Sequence, residues 1–296
     1  MNRTMLFLPG NTPNMIVNGG LLGSDRIILD LEDAVSPDQK DAARELVAET
    51  LRTLQFPDCQ VVVRINGLDT PYWEEDLKAV IPGKPDLIMP PKISGADDIR
   101  RLDEAIGELE EEAGLPKGIV KLLPLIETAR GVEESFSIAS ASRRVTGLFL
   151  GAEDLTADLK CARTRDGDEI AYARGRLVCA ARAAGIEVYD TPFADVEDME
   201  GLQNDARLAR SLGFSGKAAI NPRQVDCINE VFSPTEQEIR YASEVILAVE
   251  RAKEEGKGVV SLKGKMIDAP IVNRAKTVLE TAKILGLIKE EGGEEA

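Results

Sequence analysis

The residues best suited to chemistry are carboxylates at the ends of apolar runs. Glu127 closes the run VKLLPLIE, and Glu153 with Asp154 closes GLFLGAED. Acids gathered at one place repel one another unless a cation sits between them. The chain has no histidine, so imidazole is excluded as base, proton shuttle or ligand. Its four cysteines (Cys59, Cys161, Cys179, Cys227) lie far apart, with no C-x-x-C spacing. What remains is an all-oxygen donor set, which suits a hard cation, Mg²⁺ ahead of Mn²⁺ or Ca²⁺. Mg²⁺ takes one or two carboxylates, keeps waters and leaves positions for substrate oxygens. Glu127 and one of Glu153 and Asp154 meet that need. Each also has a plainer reading as an acid at the start of a helix, TARGVEE after Glu127 and LTADL after Asp154.

Other polar residues fall at the ends of similar runs. Arg64 interrupts the apolar stretch VVVRIN, and a buried guanidinium needs an anionic partner. That partner is internal, Asp30 or Glu32 of ILDLEDAV, or it is a substrate carboxylate gripped by two nitrogens. Glu32 and Asp33 read as caps of the next helix or as groups standing behind an ion and orienting its ligands. Lys92 and Lys217 offer a different chemistry, a Schiff base with a carbonyl substrate in an aldolase.

These groups must share one rim, and the chain contains a repeat able to hold them there. Short apolar runs recur at 5–8, 26–30, 60–65, 86–89, 120–126, 145–150, 186–189 and 217–220. Amphipathic patterns alternate with them at 12–22, 37–54, 70–80, 96–113, 131–141, 168–184, 197–212 and 234–255. Near-continuous apolar strands alternating with helices indicate a parallel sheet covered by helices. Eight such units over residues 1–255 match the α/β TIM barrel, (β/α)8, in count and length. An open doubly wound sheet is the competitor, and the regularity of the units favours closure. In a barrel the active site lies at the carboxyl ends of the strands. Those ends carry Asp30, Glu32 and Asp33, then Arg64, Lys92, Glu127, Glu153 and Asp154, so ionisable groups converge. Residues 256–296 are surplus to the barrel: a turn-rich stretch and a helical extension that packs on it, on a neighbouring subunit, or serves as a lid. The tail KEEGGEEA is expected to fray.

With 296 residues, 43% of them apolar and 30% charged, the composition is that of a globular protein with ample core. The formal charge of −16 argues against nucleic-acid binding, which needs a basic footprint. No run approaches the ~18 apolar residues of a membrane span, and the apolar part of MNRTMLFLPGN is too short for a secretory leader. A cytoplasmic protein with idle thiols is expected. An anionic ligand would need local positive charge. Arg3, and Lys160, Arg163 and Arg165 in LKCARTRDGDE, are candidates to dock it, with a solvated charge cluster as the plainer reading.

In order along nearly the whole chain come RTMLFLPGN, ILDLEDAV, VVVRING, LIETARGV, LGAEDLTADL, GFSGKAAINPRQV and GVVSLKGKMIDAPIV. These resemble the citrate lyase beta-like and malyl-CoA lyase family of thioester lyases. The last two pieces are most similar to the citrate lyase beta-type members, whereas LIMPPK and LLPLIET depart from their wording. The resemblance implies a TIM barrel with Mg²⁺ held by Glu127 and Asp154. It implies that Arg64 grips the carboxylate of an oxaloacetate-like 2-oxo acid, helped by backbone N–H groups near Ala152 and Glu153. It further implies that Asp268, in the MID piece, enters a neighbouring subunit's site as acid/base, and so a homo-oligomer. DAP before an amphipathic helix is also good N-cap chemistry. The implied reaction is reversible carbon–carbon cleavage of a 3-hydroxy-acyl thioester. In the citrate lyase version, citryl-acyl carrier protein gives oxaloacetate and acetyl-acyl carrier protein, with alpha and gamma subunits as partners. A stand-alone malyl-CoA or citramalyl-CoA lyase, with coenzyme A as carrier, is the alternative. A structural subunit with a relic site is the reading from outside enzymology.

Overall fold

The computed structural model describes residues 2–254 and 260–288. All eight apolar runs form strands. They are β1 Thr4–Pro9, β2 Arg26–Asp30, β3 Gln60–Arg64, β4 Leu87–Met89, β5 Lys121–Leu122, β6 Leu125–Ile126, β7 Gly147–Leu150, β8 Glu187–Asp190 and β9 Gly216–Ala219. The fifth run yields two strands because Pro124 has no N–H to give the ladder. Together they make one curled parallel α/β sheet of order β5-β4-β3-β2-β1-β9-β8-β7-β6. The two end members of that order are consecutive in the chain, with only Leu123 and Pro124 between them. Leu123 and Leu125 donate N–H bonds to Ile88 and Pro90 on one side, at 2.9 and 3.0 Å. On the other, Leu122 donates to Arg144 at 2.8 Å and Pro124 accepts from Phe149 at 3.0 Å.

Side chains alternate along each strand, as the two-residue period requires. Met5, Ile28, Val62, Met89, Phe149 and Tyr189 pack together on one face of the sheet. Their chain neighbours Leu6, Ile27, Val63, Ile88, Leu148 and Val188 join the core formed with the helices on the other. Two residues beyond Ile28 and Val62 on the first face come Asp30 and Arg64, paired in register. The same alternation turns Asp190 and Lys217 toward the helix layer.

By internal contacts the chain forms two compact units, residues 2–232 and the part from Ser233 onward. The helix Val225–Phe232 closes the first unit, its Ile228 buried in the large core. The pattern at 234–255, read from sequence as the barrel's last helix, is the helix Glu236–Glu254 and falls in the second unit. Its Ala242 and Val245 are buried against Ile267 and Ala275 there. That unit also holds the antiparallel hairpin of β10 Val260–Leu262 and β11 Lys265–Ile267 and the helix Ala269–Ile284. The hairpin turns through Lys263 and Gly264, with φ of 50° and 78°, the positive values a two-residue turn needs. The tail KEEGGEEA lies outside the described residues. Among those described, no helix is long and apolar enough to cross a membrane.

Candidate active site

Arg64 and Asp30 form the rigid wall of the site. Arg64 Nε and Nη2 donate to Asp30 Oδ1 and Oδ2 at 2.7 and 2.6 Å, a two-point grip. The third nitrogen, Nη1, stands 3.1 Å from Glu32 Oε2 and 3.6 Å from Asp33 Oδ2. The Phe7 ring lies 5.1 Å from the guanidinium carbon. Of the two partners open to Arg64, the internal one is therefore realised. Burial works against the guanidinium charge, but the hydrogen bonds and charge of Asp30, with Glu32 and Asp33, raise its pKa. Asp30 also accepts the N–H groups of Glu32 and Ala34, at 2.9 and 3.1 Å, so the loop after β2 wraps its carboxylate. The buried Lys40 ammonium, donating to the carbonyls of Leu31 and Glu32 at 2.7 Å each, fixes that loop from behind. Nothing in the sequence singles out Lys40, a lysine on an amphipathic helix like many others. A cavity of about 470 Å³ opens over this wall, lined among others by Phe7, Met15, Asp33, Arg64, Pro192 and Ile220.

Glu127 is buried just past β6, where its Oε1 accepts the N–H of Lys92 at 2.8 Å. Burial, and then the charges of Glu32 and Asp154, push its carboxyl up to about 8. Burial also raises Glu32, against the pull of Arg64 and Lys92. The Lys92 ammonium donates to Glu32 Oε1 at 2.9 Å and stands 3.6 Å from Asp154 Oδ2. Glu127, Asp154, Glu32, Asp33 and Arg64 are thus brought together, as their strand-end positions predict. Thr128, which accepts the Gly131 N–H, caps the helix after Glu127, so Glu127 is not needed as its cap.

The residues fit a hard cation. The donors are all carboxylate oxygens, and the buried Glu32 Oε2 has no hydrogen bond beside its 3.1 Å ion pair with Arg64 Nη1. A Cβ added to Gly151 would lie 2.6 Å from Glu127 Oε2, so only glycine leaves that oxygen its room. Among the described residues no three His, Cys, Asp or Glu are grouped to hold an ion by themselves.

The Schiff-base reading gains no support at either lysine. Lys217 is fully buried toward the helix layer, paired with Asp190 at 2.7 Å and Asp205 at 2.5 Å. Lys92 is disfavoured as a cation by burial, yet Glu32, Asp154 and Asp33 raise it, the opposite of what an imine-forming amine needs. The rival reading of Lys92 as an imine-forming amine did not foresee its contact with both acids. Its left-handed backbone, φ 53°, leaves no mark in the sequence.

Other expected positions resolve differently. The Ala152 N–H is engaged by Thr191 Oγ1 at 3.1 Å and is not free for a substrate. The Glu153 side chain is exposed and 3.7 Å from Arg163. Arg3 precedes β1 and pairs with Asp25 at 2.8 Å, at the amino ends of the strands. Strand direction therefore puts Arg3 on the rim opposite the acids, which removes it from the docking set. Lys160 is exposed, Arg163 pairs with Glu169, and Arg165 pairs with Asp198 at 2.7 Å. Asp268 belongs to the second unit, where it caps the helix Ala269–Ile284 by accepting the Ile271 N–H at 3.1 Å.

Residues 3–222 match the HpcH/HpaI aldolase/citrate lyase family. The citrate lyase subunit beta of Leuconostoc mesenteroides subsp. cremoris is 46% identical over 292 residues, covering 99% of this chain and 97% of that protein. An L-malyl-CoA/beta-methylmalyl-CoA lyase of Cereibacter sphaeroides is 34% identical, covering 96% of this chain and 95% of its own length. Among solved structures, the CitE protein of Mycobacterium tuberculosis in complex with magnesium, acetoacetate and coenzyme A is 31% identical. It superposes with a TM-score of 0.77, covering 95% of this chain and 98% of that one.

Proposed function

This chain belongs to the HpcH/HpaI aldolase/citrate lyase family, and from that premise we propose a Mg²⁺-dependent carbon–carbon lyase that cleaves citryl-acyl carrier protein to oxaloacetate and acetyl-acyl carrier protein. The observation that carries the reading is that Glu127 is buried within the electrostatic reach of Asp154 and Glu32, with Glu32 paired to Arg64.

Glu127 and Asp154 would hold Mg²⁺, whose charge acidifies the substrate hydroxyl and stabilises the oxyanion that replaces it. Arg64, pinned by Asp30, presents a fixed positive charge on the cavity wall for the far carboxylate of the bound acid. Because both Asp30 bonds stay in place, that charge is oriented before substrate arrives. Glu32 and Asp33 support the metal carboxylates and share the Nη1 side of Arg64. Cleavage requires that the hydroxyl lose one proton and that the departing thioester enolate gain one. Asp268 of a neighbouring subunit is the group we assign to that exchange, and Glu153 contributes its backbone N–H to the substrate.

In finer architecture, we read β5 and β6 as halves of one strand broken at Pro124, which closes the sheet into an eight-stranded TIM barrel. The residues after the barrel then serve a homo-oligomer as the carriers of Asp268. The same reading makes the protein cytoplasmic, with citrate lyase alpha and gamma subunits as partners. Lys160, Arg163 and Arg165 lie on the loop after β7 and offer the anionic carrier its local positive charge.

The second reading, a stand-alone lyase of malyl-CoA or citramalyl-CoA, is favoured by the likeness to a malyl-CoA lyase over nearly the whole chain. A panel of citryl, malyl and citramalyl thioesters, on carrier protein and on coenzyme A, with and without Mg²⁺, separates the two. Cleavage of citryl-acyl carrier protein alone supports the first reading, and turnover of CoA esters by the isolated chain supports the second. Turnover of citryl and malyl thioesters left unchanged in both Glu127→Ala and Asp154→Ala would overturn the catalytic reading of this site.

A further inference from the structure

Lys92 has no part in the chemistry above, yet it touches three of the acids, Glu127, Glu32 and Asp154. It follows Pro90 and Pro91 at the end of β4 with φ of 53°, a conformation that residues with a Cβ rarely adopt. That backbone turn gives its N–H to Glu127 Oε1 at 2.8 Å. Its ammonium meets Glu32 Oε1 at 2.9 Å and Asp154 Oδ2 at 3.6 Å. One residue therefore holds one acid through its main chain and screens two others through its side chain.

We propose that the Lys92 ammonium is the built-in counter-ion of the metal carboxylates: it stands over Glu32 and Asp154 in the metal-free protein and gives way when Mg²⁺ binds, and so sets how tightly the free enzyme holds the ion. The inference rests on reading Glu127 and Asp154 as the metal carboxylates. An ammonium and a divalent cation drawn to the same oxygens repel each other strongly at contact distance, so the two compete. The Lys92 side chain is 42% exposed and has an open route to solvent on four flexible methylenes. Its N–H bond to Glu127 belongs to the main chain and survives the departure of the side chain. The acid that the metal needs most therefore stays in place through the exchange.

Lys92→Met removes the charge, keeps the N–H and nearly keeps the volume, while Lys92→Arg keeps the charge. Mg²⁺ is titrated calorimetrically into metal-free wild-type protein and both variants. In parallel, acetylation of individual lysines in the wild type is followed by mass spectrometry with and without Mg²⁺. The expected result is Mg²⁺ binding about tenfold tighter or more in Lys92→Met than in wild type, with Lys92→Arg close to wild type. Mg²⁺ also speeds acetylation of Lys92 and leaves the buried Lys217 unreactive. Equal affinities in wild type and Lys92→Met, or Lys92 acetylation that does not rise with Mg²⁺, overturn the inference and leave the metal site standing. Mg²⁺ binding to neither protein overturns the metal site and this inference together.

Discussion

Glu127 is a carboxyl placed where its own charge is hard to bear. It is buried, it faces Glu32 and Asp154, and its proton is held up to about 8. At neutral pH such a group is at ease only as a neutral acid or beneath a cation. Mg²⁺ is therefore expected to raise the melting temperature of the wild type and not that of Glu127→Gln, which mimics the neutral acid. The variant should keep its metal-free stability and lose lyase turnover on the order of a hundredfold or more. Scanning fluorimetry with and without Mg²⁺ decides this, and equal shifts in both proteins would take Glu127 out of the ligand set. Gly151 makes a second case at the same oxygen. Its φ of −104° and ψ of 104° are open to any residue, so the glycine answers a need for space and not for a special backbone. An added Cβ would meet Glu127 Oε2 at 2.6 Å and Glu127 Cβ at 2.8 Å. Gly151→Ala should push Glu127 aside and weaken Mg²⁺ binding at least about tenfold, with the circular dichroism of the fold unchanged. Calorimetry that finds wild-type affinity in Gly151→Ala would mean the carboxylate has slack the geometry does not suggest. Residue type and strand-end position led to Glu127, Asp154 and Arg64, which the structure brings to one rim. They did not lead to the contacts of Lys92, which depend on one backbone angle.

Strand ends can carry these groups only because the layer behind them is locked. Lys217 Nζ donates to Asp190 Oδ2 and to the Thr191 carbonyl, each at 2.7 Å, and Arg174 grips the same aspartate at 3.0 and 2.9 Å. Thr191, held this way, accepts the Ala152 N–H on the turn that leads to Asp154. Thr191→Val leaves that buried N–H without a partner, at an expected cost of about 1–3 kcal/mol in urea unfolding. Mg²⁺ affinity should fall with it, and Thr191→Ser should restore both. A valine variant with wild-type metal affinity would sever this link between the layer and the site. At the foot of β3, burial pushes the Cys59 thiol up to about 11 from an ordinary value of 9.0. The fold holds the protonated form, so stability is lost as pH rises from about 9 to 11, where the unfolded thiol ionises first. At pH 8 a thiol reagent should modify the exposed Cys161 and Cys179 and spare Cys59 until the protein unfolds. Quantitative labelling of Cys59 in the folded protein would contradict this. The strands were legible because alternating and continuous apolar runs are dictated by burial on two faces. The helix Val225–Phe232 was not, because eight residues before Ser233 and Pro234 give too short a period to separate from a loop. The break within the fifth run follows from Pro124 alone, a residue that sequence displays but whose effect depends on its neighbours' pairing.

For the molecule as a whole, strand order and direction carry most of the functional information. Direction alone puts Arg3 at the foot of β1 and Arg64 at the head of β3, which is why one leaves the site and the other builds it. What sequence could not supply is pairing: Arg64 committed to Asp30 and Lys217 to Asp190 and Asp205 are outcomes of register between distant strands and helices. Asp268 tests how far the whole-molecule argument extends. In a single chain it is an exposed N-cap, and its carboxylate spends one oxygen on the Ile271 N–H. A cap of that kind leaves the second oxygen for another duty. If Asp268 serves a neighbouring subunit, Asp268→Asn and Glu127→Gln should each be inactive alone and should complement one another when mixed under conditions that exchange subunits. A productive site then needs an intact Glu127 from one subunit and an intact Asp268 from the next. Random one-to-one assembly meets both conditions in roughly a quarter of sites, in a dimer or any larger ring. Recovery to about that level of wild-type turnover, absent before mixing, is the expected result. If Asp268 serves its own subunit's site, every site in the mixture carries one of the two lesions and the mixture stays inactive. If it is only a cap, Asp268→Asn retains turnover before any mixing, because asparagine caps helices as well as aspartate does.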